Sequence, residues 1–262
     1  MNESQIRFND GAAYERMMGT WSRIAGAIFI DWLEPASGLK WIDVGCGNGA
    51  FSELLVERCA PAEVRGIDPS EAQLAFARTR PAARLAKFDR GDAMALPVPD
   101  NAFDAATMAL VIFFVPDPAK GVAEMVRVVR PGGTVSAYAW DILGGGFPLE
   151  PIRIEMRAIG LTPLDPPSTE ASRIESMRNL WSAAGLEAVE TREIAVERTF
   201  ANFADFWATS LTGSSIAPMI AAMAPKDVEQ LKMRVHARVP ADSKGRITCG
   251  ARANAVRGRL PK

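Results

Sequence analysis

Apolar residues along this chain gather in short runs that alternate with stretches of helical period. The runs Leu39–Val44, Val64–Asp68, Arg84–Asp89, Phe103–Ala109 and Thr134–Trp140 have the length of strands. Between them, Ala50–Arg58, Ser70–Thr79 and Ala119–Val129 place apolar residues at helical spacing. Ser70 followed three residues later by Gln73 predicts an N-cap in a capping box. Strands alternating with helices predict an α/β fold, a parallel sheet covered by helices on both faces. In such sheets ligands bind beyond the carboxyl ends of the strands, where the strand order reverses.

After Trp140 the rhythm breaks. Gly144-Gly145-Gly146-Phe147-Pro148 and Pro163–Pro167 predict loops, with a helical period over Ile152–Ile159 between them. Ser172–Ala184 predicts a helix stopped by Gly185, and Leu186–Val196 alternates as a strand. Phe200–Ala224 is rich in aromatic residues and Met, and Arg246–Arg257 is the last predicted strand. Residues 141–170 and 200–245 are expected to cap the ligand crevice rather than to form a second domain. Internal repeats and low-complexity stretches are lacking.

Composition narrows the function. At 262 residues the chain suffices for one domain with a substantial core. A net charge of −1, with both signs interspersed, argues against a nucleic-acid partner. The basic tail residues Arg246, Arg252, Arg257, Arg259 and Lys262 alternate with apolar ones and read as a solvated strand edge. Cys46, Cys59 and Cys249 have neither metal nor redox spacing, and with a polar start to the chain they suggest a cytoplasmic location. No run reaches the ~18–20 apolar residues of a membrane helix, so no membrane span is expected. The oligomeric state stays open, a homodimer included. His236 is the one histidine, which leaves no Ser-His-Asp triad and no histidine metal cluster, and no metal is expected.

The chemistry concentrates in Trp41-Ile42-Asp43-Val44-Gly45-Cys46-Gly47-Asn48-Gly49. A strand ending in an acid meets a glycine loop, and a helix follows. Glycines allow the sharp turn and let a ligand approach the backbone, while the N–H groups at the helix start suit an anionic group. The spacing is G-x-G-x-G rather than the dinucleotide fingerprint G-x-G-x-x-G, which disfavours a nicotinamide-dependent oxidoreductase. Asp68 ends the next strand, 23 residues after Gly45, where a carboxylate that binds ribose is expected. Gly91-Asp92-Ala93 and Arg130-Pro131-Gly132-Gly133 follow in order.

With these stations the chain resembles the class I S-adenosylmethionine (SAM)-dependent methyltransferases, most specifically over 41–140. Within them it is similar to the bacterial small-molecule branch related to the ubiquinone and menaquinone biosynthesis methyltransferases. The resemblance implies a single domain over 1–262 with a doubly wound, mostly parallel, seven-stranded Rossmann-like sheet, an N-terminal helical lid over 1–35 and a helical cap. It implies SAM as cofactor and S-adenosylhomocysteine as product. Asp68 would take both ribose hydroxyls, with Pro69 beside it, and Asp92 and the N–H of Ala93 would take the adenine. The loop at Gly45, Cys46 and Gly47 would lie against the methionyl and ribose parts, with Asp43 orienting the loop or reaching the amino group. Met108 and Leu110 would complete the crevice. Tyr14 and Trp21 on the leading helix would face the sulfonium, whose charge aromatic rings attract. A substrate pocket is expected from Met18, Phe113, Trp140, Phe147, Phe206 and Trp207.

Many relatives carry histidine where this chain has Phe113 and Phe114. That difference removes the obvious general base and makes the wall apolar. No catalytic residue is assigned, with Tyr14 a weak candidate, and Cys46 is read as a small loop residue rather than a nucleophile. Asp165-Pro166-Pro167-Ser168 looks like an amino-methyltransferase motif but follows the wrong strand and lacks the aromatic, so it reads as a loop. The expected function is SAM-dependent methyl transfer to a small, partly apolar molecule, the acceptor atom unresolved. A catalytically silent SAM-binding protein is the alternative.

Overall fold

The computed structural model describes residues 15–212 and 214–262. A mixed sheet of seven strands runs through the molecule in the order β3-β2-β1-β4-β5-β7-β6. Its parallel part is β1 (Lys40–Val44), β2 (Glu63–Asp68), β3 (Ala86–Arg90), β4 (Phe103–Ala109) and β5 (Val129–Trp140). β7 (Ile247–Arg259) inserts antiparallel between β5 and β6 (Glu187–Phe200). The order reverses at β1 and β4. There Asp43 stands in register with Gly66 on one side and Thr107 on the other, which brings the loops after β1, β2 and β4 together.

The helices α1 (Thr20–Leu33), α2 (Ala50–Cys59), α3 (Glu71–Ala77) and α4 (Pro118–Val128) connect or flank these strands. The central strands β1 and β4 are buried along nearly their whole length, as a sheet covered on both faces requires: Trp41, Ile42 and Val44 on β1 are all core residues. Phe29 of α1 and Phe51 of α2 pack on Tyr138 of β5, with ring centroids 4.7 and 5.7 Å apart. Burying each such side chain contributes on the order of 1.5–3 kcal/mol. Side-chain caps close the starts of α3 and α4: Ser70 Oγ accepts from Gln73 N at 3.4 Å, and Asp117 Oδ1 accepts from Lys120 N at 3.1 Å.

Several boundaries differ from those expected. Arg84 lies in a 3₁₀ turn, Pro81–Arg84, because Pro81 opens a helical turn before β3. The turn at Arg130–Gly133 lies within β5: Val129 already pairs with Phe103, the register then shifts, and pairing resumes at Thr134 with Ala105. β6 and β7 form a longer ladder than alternation suggested, reaching Phe200↔Ile247. In the second half lie α5 (Glu150–Ala158), α6 (Ile174–Ala183), α7 (Phe203–Leu211), α8 (Ala217–Ala221) and α9 (Pro225–Arg238). Ser172 belongs to a separate 3₁₀ turn, Thr169–Ser172, ahead of α6. Preceding α1 is a π-helical turn, Glu15–Gly19. Tyr14 and the rest of 1–14 lie outside the described residues.

Candidate SAM site and apolar cavity

The loop after β1 turns on three glycines in the left-handed region, Gly45 (φ 76°), Gly47 (φ 51°) and Gly49 (φ 80°). They play different parts. A side chain at Gly45 would strike Val111, 2.5 Å away, so this glycine serves close packing. A Cβ at Gly47 would meet no atom of the described residues within 4 Å, so the backbone here borders space that they leave open. Gly45 N and Cys46 N both donate to Ile67 O, at 2.7 and 3.1 Å, which pins the loop to β2.

Asp68 closes the loop from the other side. Its carboxylate accepts from Gly47 N at 2.9 Å through Oδ2 and from Ser70 N at 2.8 Å through Oδ1. Burial raises its pKa, and those two N–H bonds pull it back only in part. Each oxygen keeps a lone pair for a further donor. Pro69 connects this acid to the cap residue of α3.

Beneath the loop Asp43 is fully buried. Ser52 Oγ donates to its Oδ2 at 2.6 Å, while Oδ1 has no partner among the described residues. Desolvation pushes its pKa up to about 7, the Ser52 bond opposing and the nearby Asp68 adding to the rise. Thr107, in register with it, also has a buried hydroxyl without a partner. Cys46 is buried and its thiol is pushed well above its ordinary pKa, first by burial and then by Asp43 and Asp68, which makes it a poor nucleophile. Asp92 is exposed, and its Oδ1 accepts from Met94 N at 2.8 Å, shaping the turn in which the half-buried Ala93 sits. Met108 is buried in the core at the end of β4. Leu110 has a left-handed backbone (φ 61°), held by its N–H donating to Tyr138 O at 2.7 Å.

A small cavity of about 30 Å³ adjoins this loop system. Its walls are Met17, Met18, Leu110, Phe113, Phe114, Trp140, Phe147 and Leu149, with Ser215 the one hydroxyl. Trp21 is buried beside it, edge-on to Trp140 at 6.5 Å between ring centroids. The volume admits a water molecule or two, far below the ~300–1,000 Å³ of a ligand pocket. Four expected substrate-pocket residues, Met18, Phe113, Trp140 and Phe147, therefore meet in one place. Phe206 and Trp207 do not line it. Phe206 is buried against Phe200 and Phe203, and Trp207 lines a separate groove of about 500 Å³ with Leu211, Ile220 and Met223. An aromatic-rich stretch carries no sign of which of its faces meets which neighbour, and α7 turns these two rings away from the cavity.

His236 is exposed on α9 and stacks on Phe203. Asp165-Pro166-Pro167-Ser168 is a loop. Asp165 pairs with Arg153, and Ser168 N donates to Phe113 O at 3.0 Å, so this loop buttresses the aromatic wall. Among the described residues no three His, Cys, Asp or Glu side chains are grouped to hold a metal ion. No helix among them is long and apolar enough to cross a membrane.

Sequence reading missed Ser52 as the partner of Asp43, and missed Arg80. The guanidinium of Arg80 reaches Asn48 O (2.6 Å), Glu53 (2.8 Å) and Glu15. Ser52 lies one turn into the helix behind the loop and had a local signal. Arg80 had none, since Glu15 is 65 positions away.

Comparison with known proteins agrees with this geometry. Residues 42–137 match the family described as a methyltransferase domain. A demethylmenaquinone methyltransferase from Desulfitobacterium hafniense is 38% identical over 108 residues, covering 39% of this chain and 43% of that protein. A ubiquinone biosynthesis O-methyltransferase from Stutzerimonas stutzeri is 34% identical over 137 residues, covering 46% and 58%. The chain thus spans about half the length of the curated relatives it matches. A putative methyltransferase from Bacillus halodurans superposes with a TM-score of 0.59 at 17% identity, covering 90% of this chain and 99% of that one. Phosphoethanolamine N-methyltransferase 2 from Haemonchus contortus, solved in complex with SAM, superposes with a TM-score of 0.58 at 17% identity, covering 96% and 56%. These likenesses show the fold. Residues 42–137 thus match a methyltransferase-domain family, on a sheet with the Rossmann-like fold of the solved methyltransferases.

Proposed function

We propose that this protein transfers the methyl group of SAM to a small, partly apolar molecule. The observation that carries the reading is the pairing of a bare backbone at Gly47 with the Asp68 carboxylate beside it, next to an apolar cavity. The residues present suit SAM. Asp68 has lone pairs for ribose hydroxyls, and the open side of Gly47 admits a ligand against the chain. Asp43 has a buried oxygen without a partner, a match for an ammonium group. Asp92 and Ala93, in the turn after β3, are the candidates for the adenine. SAM supplies a methyl already activated on a cationic sulfur.

What the chain itself adds is alignment and dryness. Trp140, Phe113 and Met18, with Trp21 packed edge-on to Trp140 behind them, form apolar walls that exclude water and offer aromatic rings to a cation. A nucleophile held against those walls in line with the methyl gains from orientation alone. Among the described residues no titratable side chain lines the cavity, so the acceptor atom would bring its own acidity. The two curated relatives differ in what their names say they methylate, and the oxygen, nitrogen, sulfur or carbon nature of the acceptor is left to experiment.

Calorimetry of the purified protein with SAM, S-adenosylhomocysteine and NADH tests the first step. Saturable binding of the two sulfur nucleosides and none of NADH is expected, and the opposite pattern overturns the reading. A methyl-transfer screen over phenols, carboxylates, thiols and amines tests the second. Tight SAM binding with no transfer to any of them would leave a SAM-binding protein without catalysis.

A further inference from the structure

The apolar cavity is closed too tightly for a substrate, and the turn that closes it is tied to the glycine loop by Arg80. Met17 and Met18 of Glu15–Gly19 form one wall. Glu15, at the start of that turn, pairs with Arg80, whose side chain is only 9% exposed. The same guanidinium donates through Nε to Asn48 O on the glycine loop at 2.6 Å and through Nη1 to Glu53 at 2.8 Å in the first turn of α2. Asn48 Nδ2 closes the ring by donating to Glu15 Oε2 at 2.8 Å. Gly19 belongs to the arrangement as well, since a Cβ there would sit 2.6 Å from the Glu15 carboxyl carbon and push it aside. At the far end of the turn, Arg198 of β6 donates to Met17 O at 3.0 Å.

We infer that Arg80 is a positioning residue that couples closure of Glu15–Gly19 over the cavity to the ordering of the glycine loop by the cofactor. This rests on the function proposed above. The physical ground is that one planar, five-donor group reads both moving parts at once, and a lysine, with a point charge, cannot hold that fork. A ligand seated at Gly47 stiffens Asn48, and the shared guanidinium passes that order to Glu15. Most of the network is shielded from solvent, so it is worth more than an exposed ion pair and its members act together.

Amide hydrogen exchange over residues 15–21, with and without S-adenosylhomocysteine, tests the coupling. In the wild-type protein the ligand is expected to slow exchange there by about tenfold or more. In Arg80→Ala and in Glu15→Gln the ligand still binds, but the slowing is lost. The double variant loses no more than either single one, as residues of one network should. Gly19→Ala, which changes no charge, gives the same loss, and with Glu15→Gln it carries the test if Arg80→Ala does not fold. Undiminished slowing in these variants overturns the coupling alone, as does a wild-type protein that binds the ligand without slowing. A wild-type protein that binds no S-adenosylhomocysteine overturns the functional reading and the coupling with it.

Discussion

Asp68 holds the glycine loop directly, its Oδ2 accepting from Gly47 N at 2.9 Å, so the acid proposed to bind a ribose also sets the shape of the loop backbone. Asp68→Ala removes both roles. SAM binding should weaken by roughly 2–4 kcal/mol, combining lost charge-assisted bonds with a loosened loop. Asp68→Asn, which keeps one acceptor oxygen, should fall between the two. Calorimetric titration with S-adenosylhomocysteine measures both, and an unchanged affinity in Asp68→Ala would show that the crevice lies elsewhere.

Gly45 and Gly47 separate packing from binding. Gly45→Ala drives a Cβ into Val111 at 2.5 Å, in a backbone conformation that disfavours side chains, and should lower the melting temperature outright. Gly47→Ala meets nothing within 4 Å, so its cost to folding should be only the left-handed strain of about 1–2 kcal/mol. Its cost to SAM binding should be larger, and Gly47→Val larger still. Thermal melts run with and without ligand distinguish the two sites. A Gly47→Val protein that binds SAM normally would mean that the open space is not the ligand's.

The legible parts of this structure are those with local signals. Strand and helix alternation read out the parallel half of the sheet, and Ser70 marked its helix start, because a cap needs only three or four consecutive residues. The β5–β7–β6 half was read less well. Antiparallel insertion of β7 between β5 and β6 brings together residues more than a hundred positions apart, and the shift at Arg130–Gly133 hid the true start of β5. In the site, Gly45, Gly47 and Asp68 were legible from spacing. The place of Phe206 and Trp207 was not, since helical periodicity tells that a face is apolar without telling which neighbour it meets. Arg80 was invisible for the same reason: its partners Glu15, Asn48 and Glu53 become neighbours only once the sheet forms.

Asp43 should give the protein a measurable pH dependence. Its folded pKa of about 7 lies above the ordinary value of 3.8, so the folded state holds a proton that the unfolded chain has released. Its stabilising contribution is therefore full below the unfolded value and declines as pH rises through about 7. Asp43→Asn, which cannot ionise, should be flat where the wild type declines, so the difference in stability between the two should shift in favour of the variant from pH 4 to pH 8. Denaturant titrations across that range measure it. Affinity for SAM should run the other way if the ammonium meets the ionised acid, strengthening as pH rises toward 7 and above, and Asp43→Asn should lose that rise. A difference in stability that does not change with pH would mean that Asp43 is charged throughout.

Phe113 and Phe114 put apolar rings where a base would be useful, the first buried and the second packed on it at 4.6 Å between ring centroids. Once a substrate is found, proton loss should be governed by the substrate itself. At saturating SAM, which removes the Asp43 contribution to binding, kcat/KM for the acceptor should rise with pH and level off near the acceptor's own pKa. Two acceptors differing by about two pKa units should give profiles displaced by about that much. Phe113→Leu should lower turnover through poorer shape and leave the profile in place, and EDTA should have no effect. Superimposed profiles from acceptors of different acidity would instead report a base on the enzyme. Tyr14, which lies outside the described residues, would then be the first side chain to replace, since none of the described residues on the walls of the cavity is a titratable base.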